Sequence, residues 1–155
     1  MRRLDKPRSV EELITLLPQH LSERSRPLNA SKTSTTGEFV LYWMHHAVRG
    51  HENPALDAAL IIADQLSVPV LVYQGLGGNH PYQNDRHHSF IMEGARDAHH
   101  ELAQRGIRAV FHLPRGAKAP SPLNGLIERA SLLITEDYPA PPMSATTPED
   151  PARGR

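Results

Sequence analysis

Short apolar runs alternate with amphipathic stretches between residues 38 and 138, and this alternation limits the fold more than any other feature of the sequence. The runs are rich in β-branched and aromatic residues, which is typical of strands covered on both faces. The stretches between them place apolar residues at helical spacing. Strands that alternate with helices predict an α/β fold, a Rossmann-like open parallel sheet with helices on both faces.

The boundaries of these elements follow from the pattern and from residues that start or stop helices. Strands are predicted over residues 39–44, 68–73, 108–113 and 131–135, and helices over about 54–66, 85–105 and 121–130. Asn53 suits the capping position of the first of these helices, and Pro54 suits its first turn. Gly106 suits the left-handed position that ends the second helix.

Composition divides the chain into three regions. Residues 1–37 form a polar N-terminal extension with one short predicted helix, which begins at a Ser9 and Glu12 capping box, and residues 31–37 are expected to be a flexible connector. Residues 38–138 form the α/β domain. Residues 139–155 are rich in proline, which predicts a disordered tail without a further strand.

Charge and cysteine content exclude several classes of function. The 17 Lys and Arg residues balance 17 Asp and Glu residues, which argues against a basic surface for nucleic acid. The absence of cysteine excludes a disulfide framework, a thiolate zinc site and a cysteine nucleophile. The sequence contains neither an apolar run of membrane-spanning length nor a secretory signal, so we expect a cytoplasmic protein without a membrane partner.

Common catalytic and cofactor motifs are absent. The stretch that begins at Gly75 lacks the third glycine of a dinucleotide-binding loop, because His80 stands in its place. The ten histidines include adjacent pairs, whose members diverge on a helix, and no His-Glu-x-x-His occurs, so no metal site is expected. A serine nucleophile elbow is missing as well. We therefore assign no catalytic residue.

Two stretches carry polar residues where an open α/β sheet places its ligands, outside the carboxyl ends of its strands. Glu136 and Asp137 follow the last predicted strand, where they serve either as functional carboxylates or as turn caps. After the first strand, Asn53 is placed to cap a helix, and Glu52 is placed to pair with Arg49 across the loop.

Together, these stretches resemble the N-terminal α/β (antenna) domain of DNA photolyases and cryptochromes, most closely that of class II cyclobutane pyrimidine dimer photolyases. The similarity covers about residues 22–138. Its elements are the strand ending Tyr42-Trp43-Met44, the stretch Arg49-x-x-Glu52-Asn53-x-Ala55-Leu56, the helix start from Asn84 to Gly94, the segment Thr135-Glu136-Asp137-Tyr138, and the lead-in Arg26-x-Leu28-Asn29. Glu52 departs from the family pattern, in which Asp is common.

The resemblance implies a photolyase-type protein of light-driven DNA repair, a family whose activity is that of a carbon–carbon lyase. It also implies a sheet that is incomplete at its C-terminal end, because the family continues with a further strand where this sequence is rich in proline. The chain is then expected to be truncated and inactive alone, because FAD, the electron-transfer tryptophans and the DNA contacts belong to a helical domain that this sequence does not contain. A separate FAD-binding photolyase domain would then be its partner and its route to DNA.

In this family the α/β domain can bind an antenna pigment, a folate or a deazaflavin. The residues that we expect to contact such a pigment are His45 and Arg49 in the loop after the first strand and the carboxylates Glu136 and Asp137. Arg49, Glu52 and Asn53 match the family motif, which can also be structural. The alternative interpretation is a stand-alone nucleotide- or flavin-binding Rossmann-like module for sensing or assembly.

Overall fold

The structure, a computed structural model, describes residues 7–30, 32–76, 84–114 and 121–137 of the 155-residue chain. Its four strands are β1 (Phe39–Trp43), β2 (Val70–Gly75), β3 (Arg108–His112) and β4 (Ala130–Thr135). Its helices are α1 (Val10–Thr15), α2 (Gln19–Ser22), α3 (Pro54–Leu66), α4 (Asp85–Gln104) and α5 (Leu123–Arg129).

All four strands are parallel and form one sheet in the order β3-β2-β1-β4. The chain runs outward from β1 through β2 to β3, and then returns to the other side of β1 to form β4. The strand order therefore reverses between β1 and β4, and this reversal is the switch point at which such sheets bind ligands. The predicted α/β class and parallel arrangement are confirmed.

The two faces of the sheet bury different helices, because side chains alternate along β1. Val40 and Tyr42 lie in the larger core cluster, to which α1, α2, α3 and α4 contribute. Phe39 and Leu41 lie in the smaller cluster, which α5 covers with Leu123 and its neighbours. Helices thus cover both faces, although one face carries most of the packing.

Several element boundaries differ from the predicted ones by one or two residues. Strand β2 begins at Val70 rather than at residue 68, because Pro69 before it has no N–H for a sheet hydrogen bond. Ala130 begins β4 instead of ending the preceding helix. As predicted, Asn53 caps α3, and Gly106 follows α4 with a left-handed φ of 72°.

Among its described residues, 7–30 and 32–37, the N-terminal region contains two helices, whereas one was predicted. The predicted capping box of Ser9 and Glu12 starts α1, and Pro18 then caps the four-residue α2, a position in which a proline costs no helical hydrogen bond. Leu13 and Leu21 from these helices are buried in the larger core cluster together with β1 and β2. This region therefore packs on the sheet.

The prediction of a flexible connector is wrong for residues 32–37, because backbone hydrogen bonds hold this segment to the N-terminal region and to β4. The amide of Thr33 donates to the Arg8 carbonyl over 3.0 Å, and the amide of Ser34 donates to the Ser131 carbonyl over 3.0 Å. A Cβ added to Gly37 would lie 2.3 Å from the backbone nitrogen of Ser131, so only glycine fits that approach.

The predicted disordered tail, residues 139–155, and Tyr138 lie outside the described residues, and the three domain boundaries stay predictions. Within the described ranges, no helix is long and apolar enough to cross a membrane.

Candidate functional site at the switch point

The carboxylate of Glu136, directly after β4, lies inside a ring of hydrogen-bond donors. The backbone amides of His45 and His46 donate to Oε2 over 3.0 Å each, and that of Ala47 donates to Oε1 over 3.1 Å. The hydroxyl of Tyr42 donates to Oε1 as well. Successive backbone amides that converge in this way form a nest for an anion, and here the anion is a side chain of the protein itself.

Two opposing effects set the pKa of Glu136. Burial raises it, because desolvation disfavours the charged carboxylate. The hydrogen bonds from the Tyr42 hydroxyl and from the three loop amides outweigh that effect and hold the pKa below its usual value. Glu136 is therefore ionised at neutral pH and serves as a fixed negative charge between β1 and β4.

Tyr42 joins the two sides of the site from the middle of the sheet. It is fully buried, and its hydroxyl accepts a hydrogen bond from Nδ2 of Asn53 over 3.1 Å while donating to Glu136. Burial and the negative charge of Glu136 both raise the pKa of the Tyr42 hydroxyl, so this group stays protonated and remains a donor.

Asn53 closes the β1–α3 loop with all of its side-chain groups and is 1% exposed. Its Oδ1 accepts from the amide of Leu56 over 3.1 Å and thereby caps α3. Its Nδ2 donates to the carbonyls of Ala47, over 2.9 Å, and of Arg49, over 3.1 Å. The predicted capping role of Asn53 is thus present. We refer to Tyr42, Asn53 and Glu136 as the switch-point cluster.

His45 lies beside this cluster among aromatic rings. Its ring centroid is 4.9 Å from that of Trp43 and 4.0 Å from that of His46, and its Nε2 is 2.9 Å from the hydroxyl oxygen of Thr135. Burial and the neighbouring His46 lower the pKa of His45, and the charge of Glu136 offsets this only in part. His45 is therefore neutral at pH 7 and contributes a flat, uncharged ring.

The predicted ion pair between Arg49 and Glu52 is wrong, because no salt bridge joins them in the part of the chain that the structure describes. Both residues are exposed, where such a pair gains little. Glu52 adopts a left-handed φ of 47°, an uncommon conformation for a residue other than glycine. The positive charge of Arg49 still reaches the Tyr42 hydroxyl, whose pKa it slightly lowers.

Asp137, the second carboxylate of the predicted site, forms a salt bridge with Arg26 of the N-terminal region. The pair joins the lead-in of the chain to the end of β4, across 111 positions of sequence. Asp137 thus already holds a cation from within the protein. Both residues belong to the sequence pattern described above, but nothing in that pattern pairs them.

A second anchor of the β1–α3 loop was missed from the sequence. The amide of Gly50 donates to Oε2 of Glu101 over 2.7 Å, and its carbonyl accepts from the guanidinium of Arg105. A Cβ on Gly50 would lie 2.6 Å from that of Glu101, so the loop touches α4 closely. The spacing of Glu101 and Arg105, one helical turn apart, was the only local signal of this contact.

The remaining polar groups near the carboxyl edge differ in how far they are paired. Within the described residues, no group of three or more His, Asp or Glu residues lies close enough to hold a metal ion. Glu136, Tyr42 and Asn53 satisfy one another, which leaves them no free group for proton transfer. Gln74 at the end of β2 differs, since it is 3% exposed and its Oε1 has no hydrogen-bond partner among the described residues. The loop residues Gly77, Gly78 and His80 lie outside the described part.

Comparison with known proteins gives two concordant matches. The family model described as DNA photolyase matches residues 40–140. The chain is also 42% identical over 115 residues to a deoxyribodipyrimidine photo-lyase from Methanothermobacter thermautotrophicus, and the alignment covers 74% of this chain and 25% of that relative. The chain therefore spans about a quarter of the length of the curated relative that it matches.

Proposed function

Because the chain belongs to the DNA photolyase family, we propose that it supplies the pigment-binding α/β region of a photolyase-type system for light-dependent DNA repair. The observation that carries this proposal is the loop at residues 45–49. The switch-point cluster fixes its backbone at the edge where α/β sheets bind ligands, and Arg49 in this loop stays exposed.

We propose that the lyase chemistry requires FAD and a partner. The matched relative is about four times as long as the segment that aligns with this chain, and the described residues contain no group that we assign to catalysis. FAD and the DNA contacts would come from a separate FAD-binding photolyase region, with the reaction taking place in the cytoplasm. Without that region the chain is expected to show no repair activity.

The proposed pigment is a folate or a deazaflavin, and the residues fit it in part. The rings of Trp43, His45 and His46 lie together at the end of β1, tilted by 40° and 55° to one another, and a conjugated ring can stack on one of their faces. The guanidinium of Arg49 makes no hydrogen bond or salt bridge to any described residue, so it is available to a polar group of the pigment. When bound, the pigment supplies light absorption and passes its excitation to the FAD.

The two carboxylates of the predicted site take a different role in this proposal. Glu136 is saturated by four donors, and Asp137 is paired with Arg26. Glu136 therefore positions the loop, Asp137 holds the N-terminal region, and neither is proposed to touch the pigment. His45 and Arg49 remain as the proposed contacts.

Titration of the purified chain with a reduced folate and with a deazaflavin tests this proposal. One of the two is expected to bind with a shift in its absorbance band and a change in its fluorescence. The variant Arg49→Ala should weaken that binding about tenfold or more, the loss typical of a charge-assisted hydrogen bond. Arg96→Ala is the matched control, because Arg96 is an exposed arginine on α4, paired with its neighbour Asp97.

Two results would contradict the pigment role. The first is the absence of any spectral change with either pigment, up to millimolar concentrations. The second is tighter binding of ATP than of both pigments, which would favour the stand-alone nucleotide-binding module.

A further inference from the structure

Helix α4 is longer than the sheet that it covers. Its 20 residues span about 30 Å, whereas strands of five or six residues span about 20 Å. Its buried residues, Ala95, Ala98 and Leu102, all lie in the second half. Since α4 follows the carboxyl end of β2, its first half extends past the carboxyl edge of the sheet. We call residues 85–94 the helical arm.

The helical arm exposes large apolar side chains. Phe90 is 73% exposed and Met92 is 39% exposed, and Leu113, which follows β3 at the same edge of the sheet, is 48% exposed. These are three of the six large apolar side chains that are exposed in the described residues. Phe90 and Met92 are two positions apart, so they point to different sides of the helix. Exposed apolar groups on several sides of a projecting helix indicate a binding surface that surrounds it.

The arm is a formed helix whose charges favour neither sign. Asn84 caps it by accepting the amide of His87 over 2.8 Å. Asp85, Arg86 and Glu93 are exposed along it, so acidic and basic groups both lie near the apolar ones. Such a surface suits a protein partner with an apolar patch and a polar rim, and does not suit a polyanion.

We propose that the helical arm docks on the part of a photolyase-length polypeptide that this chain does not contain, about three quarters of the length of its relative. This inference rests on the proposed function, and it adds the surface through which the partner is held. The arm extends past the same edge of the sheet at which the switch-point cluster lies, so the partner would approach the domain from this edge.

A second copy of this chain is a poorer occupant of the arm. A stable interface buries about 800 Å² on each partner. One large side chain buries about 150–250 Å² at most, and Phe90, Met92 and Leu113 are only 73%, 39% and 48% exposed, so together they supply roughly 300 Å². Contact between two arms therefore falls short, whereas a partner three times as long as the aligned segment can enclose the arm on several sides.

The test is co-expression of the full 155-residue chain with the Methanothermobacter polypeptide from which the 115 matching residues have been removed. We expect the two to co-purify, and we expect Phe90→Glu to lower the recovery about tenfold or more, as for a central interface aromatic. Phe90→Leu should retain most of it. Leu16→Glu is the control, because Leu16 is an exposed apolar residue, 48% exposed, in the N-terminal region.

The outcomes separate this inference from the proposed function. Equal recovery of wild type and Phe90→Glu would overturn the docking role of the arm, and so would a failure of the wild-type chain to co-purify. If the wild-type chain forms a concentration-dependent dimer and Phe90→Glu is monomeric, the arm binds a second copy of this chain. That result would also overturn the proposed docking on a photolyase-length partner. Pigment titration of the chain alone still decides the proposed function in each case. Unchanged thermal unfolding of Phe90→Glu must accompany these measurements, as is expected for a side chain that is 73% exposed.

Discussion

The carboxyl edge of the sheet has two sides that differ in how far the chain satisfies its own groups. Between β1 and β4, a buried carboxylate, a hydroxyl and an amide saturate one another and fix the loop. Beyond β2, the helical arm leaves Phe90 and Met92 in solvent. The first side is complete within the chain, and the second is the side on which a partner can add contacts. Stability should therefore depend on the first side and association on the second.

The largest expected effect comes from removing the carboxylate at the centre of the complete side. Glu136→Ala leaves three backbone amides and the Tyr42 hydroxyl without their acceptor, at a cost of about 3–5 kcal/mol in the free energy of unfolding. Urea denaturation measures this loss. The control Glu52→Ala, at an exposed position, should change stability by less than about 0.5 kcal/mol. Similar losses in the two variants would show that the cluster does not hold the fold.

The next effect tests how closely the complete side packs on α4. Gly50→Ala places a Cβ 2.6 Å from that of Glu101, so the loop or the helix must move, and we expect a loss of about 1–3 kcal/mol. Thermal unfolding followed by circular dichroism is a suitable measurement. An unchanged melting temperature would mean that the loop moves to accommodate the added Cβ without a cost in stability.

Acidification should weaken the complete side in two steps. The pKa of His45 is lowered in the folded state, so its contribution to stability is present above the unfolded value of about 6.5 and is lost as the pH falls below it. The pKa of Glu136 is also lowered, so its contribution is lost at more acidic pH, below the unfolded value of about 4.3. Denaturation midpoints between pH 8 and pH 3 should therefore decline toward acid.

The matched variants for this pH dependence are His45→Gln and Glu136→Gln. The first should flatten the step that begins below pH 6.5, and the second should flatten the step that begins below pH 4.3. A decline that persists unchanged in both variants would assign the pH dependence to other groups.

The smallest expected effect is a gain in stability from a substitution in the helical arm. Gly94 lies within α4, and a Cβ added there would meet nothing within 4 Å. Gly94→Ala should therefore stabilise the chain by about 0.5–1 kcal/mol through helix propensity, or by less if the arm frays before the core unfolds. Hydrogen exchange of the arm amides measures this local stabilisation directly. A loss of stability would indicate that this face of the helix is in contact with other residues.

The sequence predicted what local patterns can encode. Alternating apolar runs and helical spacing predicted the strand and helix order, and Asn53 before Pro54 predicted the cap of α3. A general rule about α/β sheets also placed Glu136 at the functional edge. The same rule could not decide between ligand contact and structural clamp, because that choice depends on the loop amides of His45, His46 and Ala47, about 90 positions away.

Other contacts had no local pattern at all. Tyr42 lies in a continuous apolar run, so its hydroxyl gave no sign that it would bridge Asn53 and Glu136. The polar residues 32–37 read as a connector, but Thr33 and Ser34 donate backbone hydrogen bonds to Arg8 and Ser131. Backbone pairing of this kind depends on which segments the fold brings together, and side-chain composition does not report it.

The separation in sequence of the two halves of the switch-point cluster has a consequence for biosynthesis. Tyr42 and Glu136 are 94 positions apart, and Arg26 and Asp137 are 111 apart. At about 5–20 residues per second, a ribosome takes roughly 5–20 s to proceed from one partner to the other. During that interval β1 has no neighbour on its β4 side, and its exposed edge is open to other chains. Chaperone dependence should therefore peak before residue 136 has emerged and fall once β4 has docked.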